Sequence, residues 1–227
     1  MKYPNVIPAL FLERPNRFIA LVAVGDQTET VHVKNTGRCR ELLKPDAKVW
    51  LTAPGTPGRK TKYDLVAVRK DTGALFNIDS QAPNAAAKEW LFLQGFDKVA
   101  SEHRYGESRI DFYMEKDGER YLMEVKGCTL EIDGRGYFPD APTERGMKHV
   151  RELIRAVNDG YHAVLAFVIQ TENVIEVRPN TATDPAFAQA VADARQAGVT
   201  ILFLPCIVEP DCLSVRPEIR FPFTGQE

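Results

Sequence analysis

The segment SRIDFYMEKDGERYLMEVKG (108–127) constrains the fold more than any other stretch. Asp117-Gly118 is a two-residue hairpin signal, because both central positions of a type I′ turn need φ > 0. A turn there places Asp111 opposite Glu124, with Cβ atoms about 5 Å apart. Lys126, two residues beyond Glu124, shares that face. The other face reads Ile110, Phe112 and Met114 on one strand and Tyr121, Met123 and Val125 on the next. The hairpin is therefore expected to bury one side and to hold two carboxylates and an ammonium on the other. Like charges directly opposite destabilise a sheet. A bound cation is the simplest reason to keep them, and a surface ion cluster in which Lys126 offsets both carboxylates is the plainer alternative.

Around this hairpin the periodicity changes once along the chain. RFIALVAV (17–24), ETVHVK (29–34), KVWLTA (48–53), KYDLVAVRK (62–70) and ALFNID (74–79) read as short strands separated by turns, which predicts a small barrel or sandwich. Beyond SQAPN (80–84) helices appear. NAAAKEWLFLQG (84–95) ends at Gly95, and TERGMKHVRELIRAVNDG (143–160) has Thr143 to cap its start and Gly160 to close its end. Its apolar stripe is Met147, Val150, Ile154 and Val157. DPAFAQAVADARQAG (184–198) has Asp184 as cap and Pro185 at the first helical position. YHAVLAFVIQ (161–170) and VTILFLPCIV (199–208) are continuous apolar strands of the kind buried on both faces. The alternation of strand and helix is an α/β signature. Two domains are expected, 1–82 as a nucleic-acid-binding β-barrel and 83–227 as an α/β domain carrying the metal site.

Charge supports that division. Residues 1–82 carry a net charge of +5 and residues 83–227 a net charge of −7, so the first third is the better surface for a polyanion. The basic residues expected on a phosphate backbone are Arg38 and Arg40 in NTGRCRELL (35–43), and Lys60 and Lys62 in PGTPGRKTK (54–62). Trp50, Tyr63 and Phe76 are expected in the barrel core. There is no recognition-helix or zinc-finger pattern, and phosphate contacts carry no base information, so sequence-specific binding is not expected. Cys39, Cys128, Cys206 and Cys212 form no CxxC pair. The first fifteen residues contain Pro4 and Pro8 and no long apolar run, unlike a signal peptide. The longest apolar run, 163–169, is too short to span a bilayer. Reduced thiols, a cytoplasmic location and no membrane partner are expected. No feature specifies an oligomeric state.

Two facing carboxylates supply hard oxygen ligands that suit Mg²⁺ or Mn²⁺. With Lys126 to stabilise developing charge, they are the parts needed to hydrolyse a phosphodiester. Asp, then about a dozen residues, then Glu-x-Lys on the next strand resembles the core of PD-(D/E)xK nucleases. The preceding helix and the helix and strand that follow match that core, and Ile110 stands where the usual Pro precedes the Asp. NTGRCRELL, SRIDF, EVKGCTL (124–130), FPDAPTERGMKH (138–149) and LPCIVEPDCLSVRP (204–217) together resemble the SfsA family, over nearly the whole chain. That resemblance implies an N-terminal OB-fold-like barrel followed by a nuclease-like α/β domain with a mixed central sheet. It implies DNA binding and a role in regulating maltose and sugar metabolism, and it points to Asp111, Glu124 and Lys126 as the metal and catalytic set.

FPDAPTERGMKH holds further candidates. Glu144 is favoured in a first helical turn by the helix dipole, or adds a metal ligand. Arg145 would contact the scissile phosphate, and His149 would serve as a supporting or substrate contact. Glu89 on the preceding helix, and Glu102, are either solvated or near the site. Metal-dependent cleavage of DNA, or of RNA, is the leading expectation. A non-cleaving DNA-binding regulator with a nuclease fold is the alternative, and an enzyme acting on a small phosphorylated metabolite is a third.

Overall fold

The computed structural model describes residues 1–35, 37–55 and 57–223. Six strands come first: β1 (Val6–Asn16), β2 (Ile19–Val24), β3 (Gln27–Val33), β4 (Lys48–Thr52), β5 (Asp64–Arg69) and β6 (Leu75–Asn77). They pair in the order β3-β2-β1-β4-β5-β6, and a further parallel pairing of β3 with β5 closes β1–β5 into a barrel. Inward residues alternate along each strand, Ala20 and Val22 on β2, Val31 and Val33 on β3, and with Phe11, Val49, Leu51 and Leu65 they fill the interior. Tyr63 and Phe76 are buried in the barrel core as expected, whereas Trp50 is buried outside it, in the core that includes α1-side residues of the sheet.

The barrel's fifth strand is not the one expected. β1, which is not among the five strands expected, belongs to the barrel, whereas the 74–79 segment gives only β6, at the sheet edge. Over Val6–Ala9, β1 pairs with β4 alone, and β2 joins only from Leu10 onward. Pro8 thus lies where one side of the strand has no neighbour, a place that tolerates a missing N–H.

The remainder runs α1 (Ala82–Leu91), β7 (Lys98–Tyr105), β8 (Ser108–Lys116), β9 (Glu119–Cys128), β10 (Leu130–Ile132), β11 (Arg135–Phe138), α2 (Glu144–Asn158), β12 (His162–Ile169), β13 (Val177–Pro179), α3 (Pro185–Gln196), β14 (Thr200–Glu209) and β15 (Cys212–Val215). Its main sheet is mixed, in the order β15-β14-β12-β9-β8-β7, with β9, β12 and β14 parallel. Strands β10 and β11 lie within 127–142, which reads in sequence as a Gly- and Pro-rich loop, and with the distant β13 they form a small second sheet. Thr143 Oγ1 caps α2 by accepting from the Gly146 N–H at 3.0 Å, and Asp184 Oδ1 caps α3 by accepting from Phe187 N–H at 2.9 Å. α1 starts at Ala82 and stops at Leu91, short of Gly95.

The central hairpin turns at Asp117 (φ 53°) and Gly118 (φ 83°), both left-handed. Its register runs from Lys116↔Glu119 to Phe112↔Met123, as the turn predicts. The expectation of one buried and one open face is corrected. Phe112, Met123 and Val125 pack in the core beneath α1, and Tyr113 and Leu122 are equally buried beneath α2 and α3. A sheet whose central strands are parallel and sandwiched by helices is covered on both sides, so the charged residues occupy a small polar gap in an otherwise apolar layer.

A buried polar seam joins barrel and sheet. The Gln170 amide donates to Asn77 O at 3.1 Å and to Asp79 O at 3.1 Å. Lys34 pairs with Asp79 at 2.7 Å, and the Tyr3 hydroxyl donates to Asp79 at 3.2 Å. The segment 77–81 is thereby fixed just before α1 begins.

Candidate functional site

Asp111 sits where two ladders break. The β8–β9 pairing stops at Phe112↔Met123, and the β7–β8 pairing passes from Ser101↔Phe112 to His103↔Ile110. The skipped residue of β7, Glu102, has φ 56°. Ile110 packs in the α2-side core and Phe112 in the α1-side core, although they are two residues apart, so β8 changes facing at Asp111. The carboxylate takes over the role of a ladder partner. Its Oδ2 accepts from the Val125 N–H at 2.7 Å, and its Oδ1 accepts from Asn84 Nδ2 on α1, also at 2.7 Å. The expected rung-to-rung pairing of Asp111 with Glu124 is therefore replaced by a carboxylate folded over the end of the ladder. Burial, and then the charge of Glu124, push the Asp111 carboxyl above its ordinary pKa, against the opposing pull of the Val125 and Asn84 bonds.

Glu124 is 2% exposed. Burial works against its ionisation, but the bonds from His149 and Lys126 prevail and hold its carboxyl below the usual range. Lys126 Nζ donates to Glu124 Oε1 at 2.7 Å, and His149 Nδ1 bonds the same oxygen. Arg145 Nε donates to His149 Nε2 at 3.4 Å. Since arginine only donates, Nε2 is the acceptor and Nδ1 carries the hydrogen directed at Glu124. Lys126 Nζ, 3.4 Å from Nδ1, is then a neighbour of the ring and not its donor. Glu124 Oε2 is buried and has no hydrogen-bond partner among the described residues. Gly127 keeps the backbone close to its surroundings here, because a Cβ would meet Pro83 Cγ at 2.6 Å.

The structure thus brings together Asp111, Glu124, Lys126, Arg145 and His149, and adds Asn84. It does not bring Glu144 or Glu89 to the site. Glu144 is exposed, makes no hydrogen bond or ion pair among the described residues, and lines a separate cavity with Glu107, Lys148 and Arg151. It precedes His149 by five residues, roughly 140° around the helix, whereas Arg145 at i−4 shares the His149 face. Glu89 is displaced from Asn84 in the same way, and pairs with the N-terminal amine at 2.6 Å. Glu102 lies 3.6 Å from Arg109. Among the described residues no group of three or more His, Cys, Asp or Glu converges as a metal cluster. Burial pushes the thiols of Cys39, Cys128 and Cys206 up to about 12, so none is a ready nucleophile.

In the barrel, Arg38 and Arg40 are exposed on the loop after β3 and share a cavity with Arg14 and Arg17. Sequence reasoning missed Arg14, Arg17 and Asn84. The signal for Asn84 was its place in the first turn of the helix before the hairpin. Nothing local marks Arg14 or Arg17, whose role depends on barrel closure. Lys60 and Lys62 are exposed away from that cavity's lining, Lys62 Nζ lying 4.8 Å from the Tyr63 ring centre. Among the described residues no helix is long and apolar enough to cross a membrane.

Comparison with known proteins agrees with this architecture. Residues 12–78 match the family model described as the SfsA N-terminal OB domain, and residues 80–212 match that described as the sugar fermentation stimulation protein RE domain. A sugar fermentation stimulation protein homolog of Ruminiclostridium cellulolyticum is 44% identical over 97% of this chain and 99% of its own length. One of Desulfitobacterium hafniense is 47% identical over 94% of each chain. The structure of Pyrococcus furiosus SfsA in complex with Ca²⁺ superposes with a TM-score of 0.82 at 32% identity, covering 94% of both chains. An OB barrel joined to a mixed-sheet α/β domain, matched along almost its full length by these relatives, identifies the chain as a member of the SfsA family.

Proposed function

We propose that this protein binds DNA through its barrel, without strong sequence preference, and hydrolyses phosphodiester bonds at Asp111, Glu124 and Lys126 with a bound Mg²⁺ or Mn²⁺. The observation that carries this is Glu124 Oε2, a buried carboxylate oxygen with no partner, beside a second carboxylate held above its ordinary pKa by burial and by Glu124 itself. A divalent cation relieves both conditions. Two carboxylates suit Mg²⁺ in particular, which usually keeps several waters and binds through one or two carboxylates plus substrate phosphates. The Pyrococcus relative was solved with Ca²⁺, another hard cation with a preference for oxygen ligands.

When bound, such a cation supplies neutralisation of charge on the scissile phosphate. The protein's own groups do the rest. Asn84 and the Val125 N–H orient Asp111, and His149 and Lys126 fix Glu124 in its ionised form. Lys126 stabilises charge developing on the phosphate. Arg145, held to the His149 ring, is exposed and free to contact the substrate backbone. The apolar layers above and below the gap exclude water, which strengthens each of these interactions.

A non-cleaving DNA-binding regulator is the second reading. What favours it is the donor set, two carboxylates without a third from Glu144, which is exposed and lines a separate cavity. The relatives' name suggests a role in sugar use for either reading. A cytoplasmic setting is consistent with four unpaired cysteines. Incubation with single- and double-stranded DNA and RNA, in Mn²⁺ or in EDTA, distinguishes the readings. Mn²⁺-dependent cleavage that disappears in Asp111→Ala and Lys126→Ala establishes the enzyme. Intact DNA binding with no cleavage of any substrate establishes the regulator.

A further inference from the structure

The basic residues of the barrel do not form a stripe. Arg14, Arg17, Arg38 and Arg40 line a single cavity of about 420 Å³, together with Asn16 and, from the second domain, Ala141. That volume lies within the range of about 300–1,000 Å³ usual for ligand sites. Among the described residues no carboxylate lines it, and that of Asp140 lies behind Gly37. The arginines that form ion pairs among the described residues are Arg59, Arg109 and Arg178, so the four around the cavity have no acidic partner. Such a concentration of like charge is unfavourable by itself and implies an anion.

Arg14 makes the cavity rigid. Its guanidinium donates to four backbone carbonyls, Gly37 at 2.8 Å, Arg38 at 2.9 Å, Arg17 at 2.7 Å and Asn35 at 2.6 Å. It staples the turn after β1 to the loop after β3 and so fixes the backbones from which Arg17 and Arg38 project. Its Nε is buried with no partner among the described residues. Carbonyls satisfy its hydrogens without neutralising its charge. Gly37 closes the back wall, where a Cβ would run into the side chains of Asp140 and Asn35. The second domain is therefore pressed directly against this loop.

The same loop is tied to the candidate catalytic site. Asn35 Nδ2 donates to Ile78 O at 2.9 Å, and the Ser80 N–H donates to Lys34 O at 3.1 Å. Two residues further on α1 begins, and its Asn84 holds Asp111. The arginine cavity thus stands in a fixed relation to Asp111 and Glu124.

We infer that this cavity binds the terminal monophosphate of a nucleic-acid strand, and that an end anchored there selects which phosphodiester reaches Asp111 and Glu124. The inference rests on the nucleic-acid reading of the protein and adds end recognition to it. An internal phosphodiester carries one charge, and successive ones lie along a track. A phosphomonoester carries about −1.5 to −2 at pH 7 and three acceptor oxygens. Planar guanidinium forks match such oxygens in pairs. The gathering of the three free forks of Arg17, Arg38 and Arg40 around one cavity fits the monoester, and spacing them along the barrel face would fit the diester.

The test is fluorescence anisotropy with the full chain in EDTA, so that binding is read without cleavage. The probes are one single-stranded oligonucleotide carrying a 5′-phosphate, a 3′-phosphate or hydroxyl ends, with thymidine monophosphate and thymidine as competitors. One phosphorylated end is expected to bind about tenfold more tightly than the hydroxyl ends, and thymidine monophosphate to compete where thymidine does not. Arg17→Ala, Arg38→Ala and Arg40→Ala, all at exposed side chains, are expected to remove the preference while the circular dichroism spectrum stays unchanged. Equal affinity for all three ends overturns the inference and leaves DNA binding standing. If no oligonucleotide binds but thymidine monophosphate does, and the variants abolish this, the phosphate site stands and the DNA-binding reading falls. If neither binds, both fall.

Discussion

The two basic-acidic centres of this molecule are built on opposite principles. At the sheet, charges are buried and paired. Glu124 is held by Lys126 and His149, and Asp111 by Asn84 and a backbone N–H. At the barrel, Arg17, Arg38 and Arg40 are exposed and have no acidic partner among the described residues. Burial amplifies electrostatics and sets protonation states, as chemistry requires. Exposure leaves charge available to a long polyanion and subject to salt. On the proposed function, catalysis and capture would fall to different domains, joined by the polar seam at Asn77, Asp79 and Gln170.

The comparison breaks first at Lys126. Lys126→Ala is expected to lower the rate of Mn²⁺-dependent cleavage by about 10²–10³-fold, measured in single turnover, with DNA affinity nearly unchanged. An equal loss of affinity would mean that the two centres are not separate. The next effect is on stability. His149→Ala takes away one partner of the buried Glu124 carboxylate and is expected to cost about 1–3 kcal/mol in urea unfolding. Arg38→Ala, at an exposed side chain, is expected to change stability by less than about 0.5 kcal/mol.

Protonation sharpens the contrast further. The folded-state pKa of Asp111 is raised, so its contribution to stability is present at low pH and is lost as pH rises through that value. The pKa of Glu124 is lowered, so its contribution is present above the ordinary carboxylate range and is lost as pH falls through the folded value. Asp111→Asn is therefore expected to raise the metal-free Tm at neutral pH, by about 2–4 °C for each kcal/mol recovered. On acidification, Mn²⁺ affinity is expected to fall as Asp111 takes up its proton, above the ordinary aspartate range, while Glu124 is still ionised. A Tm that is unchanged or lower in Asp111→Asn would contradict the assigned environment. The smallest effect belongs to the barrel. Each of Arg17→Ala, Arg38→Ala and Arg40→Ala is expected to reduce the slope of log Kobs against log salt by about 0.7–0.9. A slope that does not change would remove that arginine from the phosphate contacts.

Much of this contrast was legible in the sequence, and unevenly so. The hairpin register followed from Asp117-Gly118, because a two-residue turn dictates its flanking pairs. The α2 and α3 starts followed from Thr143 and Asp184, because caps act locally. β1 was missed because Pro8 breaks an interior strand and is tolerated on one without a second neighbour. β7, with Val99, Ala100, His103 and Tyr105 only partly buried and no residue fully buried along KVASEHRY, is too polar an edge strand to show alternation. At the site, Asp111, Glu124 and Lys126 came from spacing on one hairpin. The change of facing at Asp111, the Asn84 contact and the stapling role of Arg14 depend on residues distant in sequence, and no local pattern encodes them.

Calorimetric titration of Mn²⁺ into the metal-free protein tests the central claim most directly, that the buried Glu124 and half-buried Asp111 carboxylates form a cation site. One site is predicted for the wild type and for Lys126→Ala, and none for Asp111→Ala or Glu124→Gln. No binding to the wild type, or the same stoichiometry and affinity in Asp111→Ala, would contradict it.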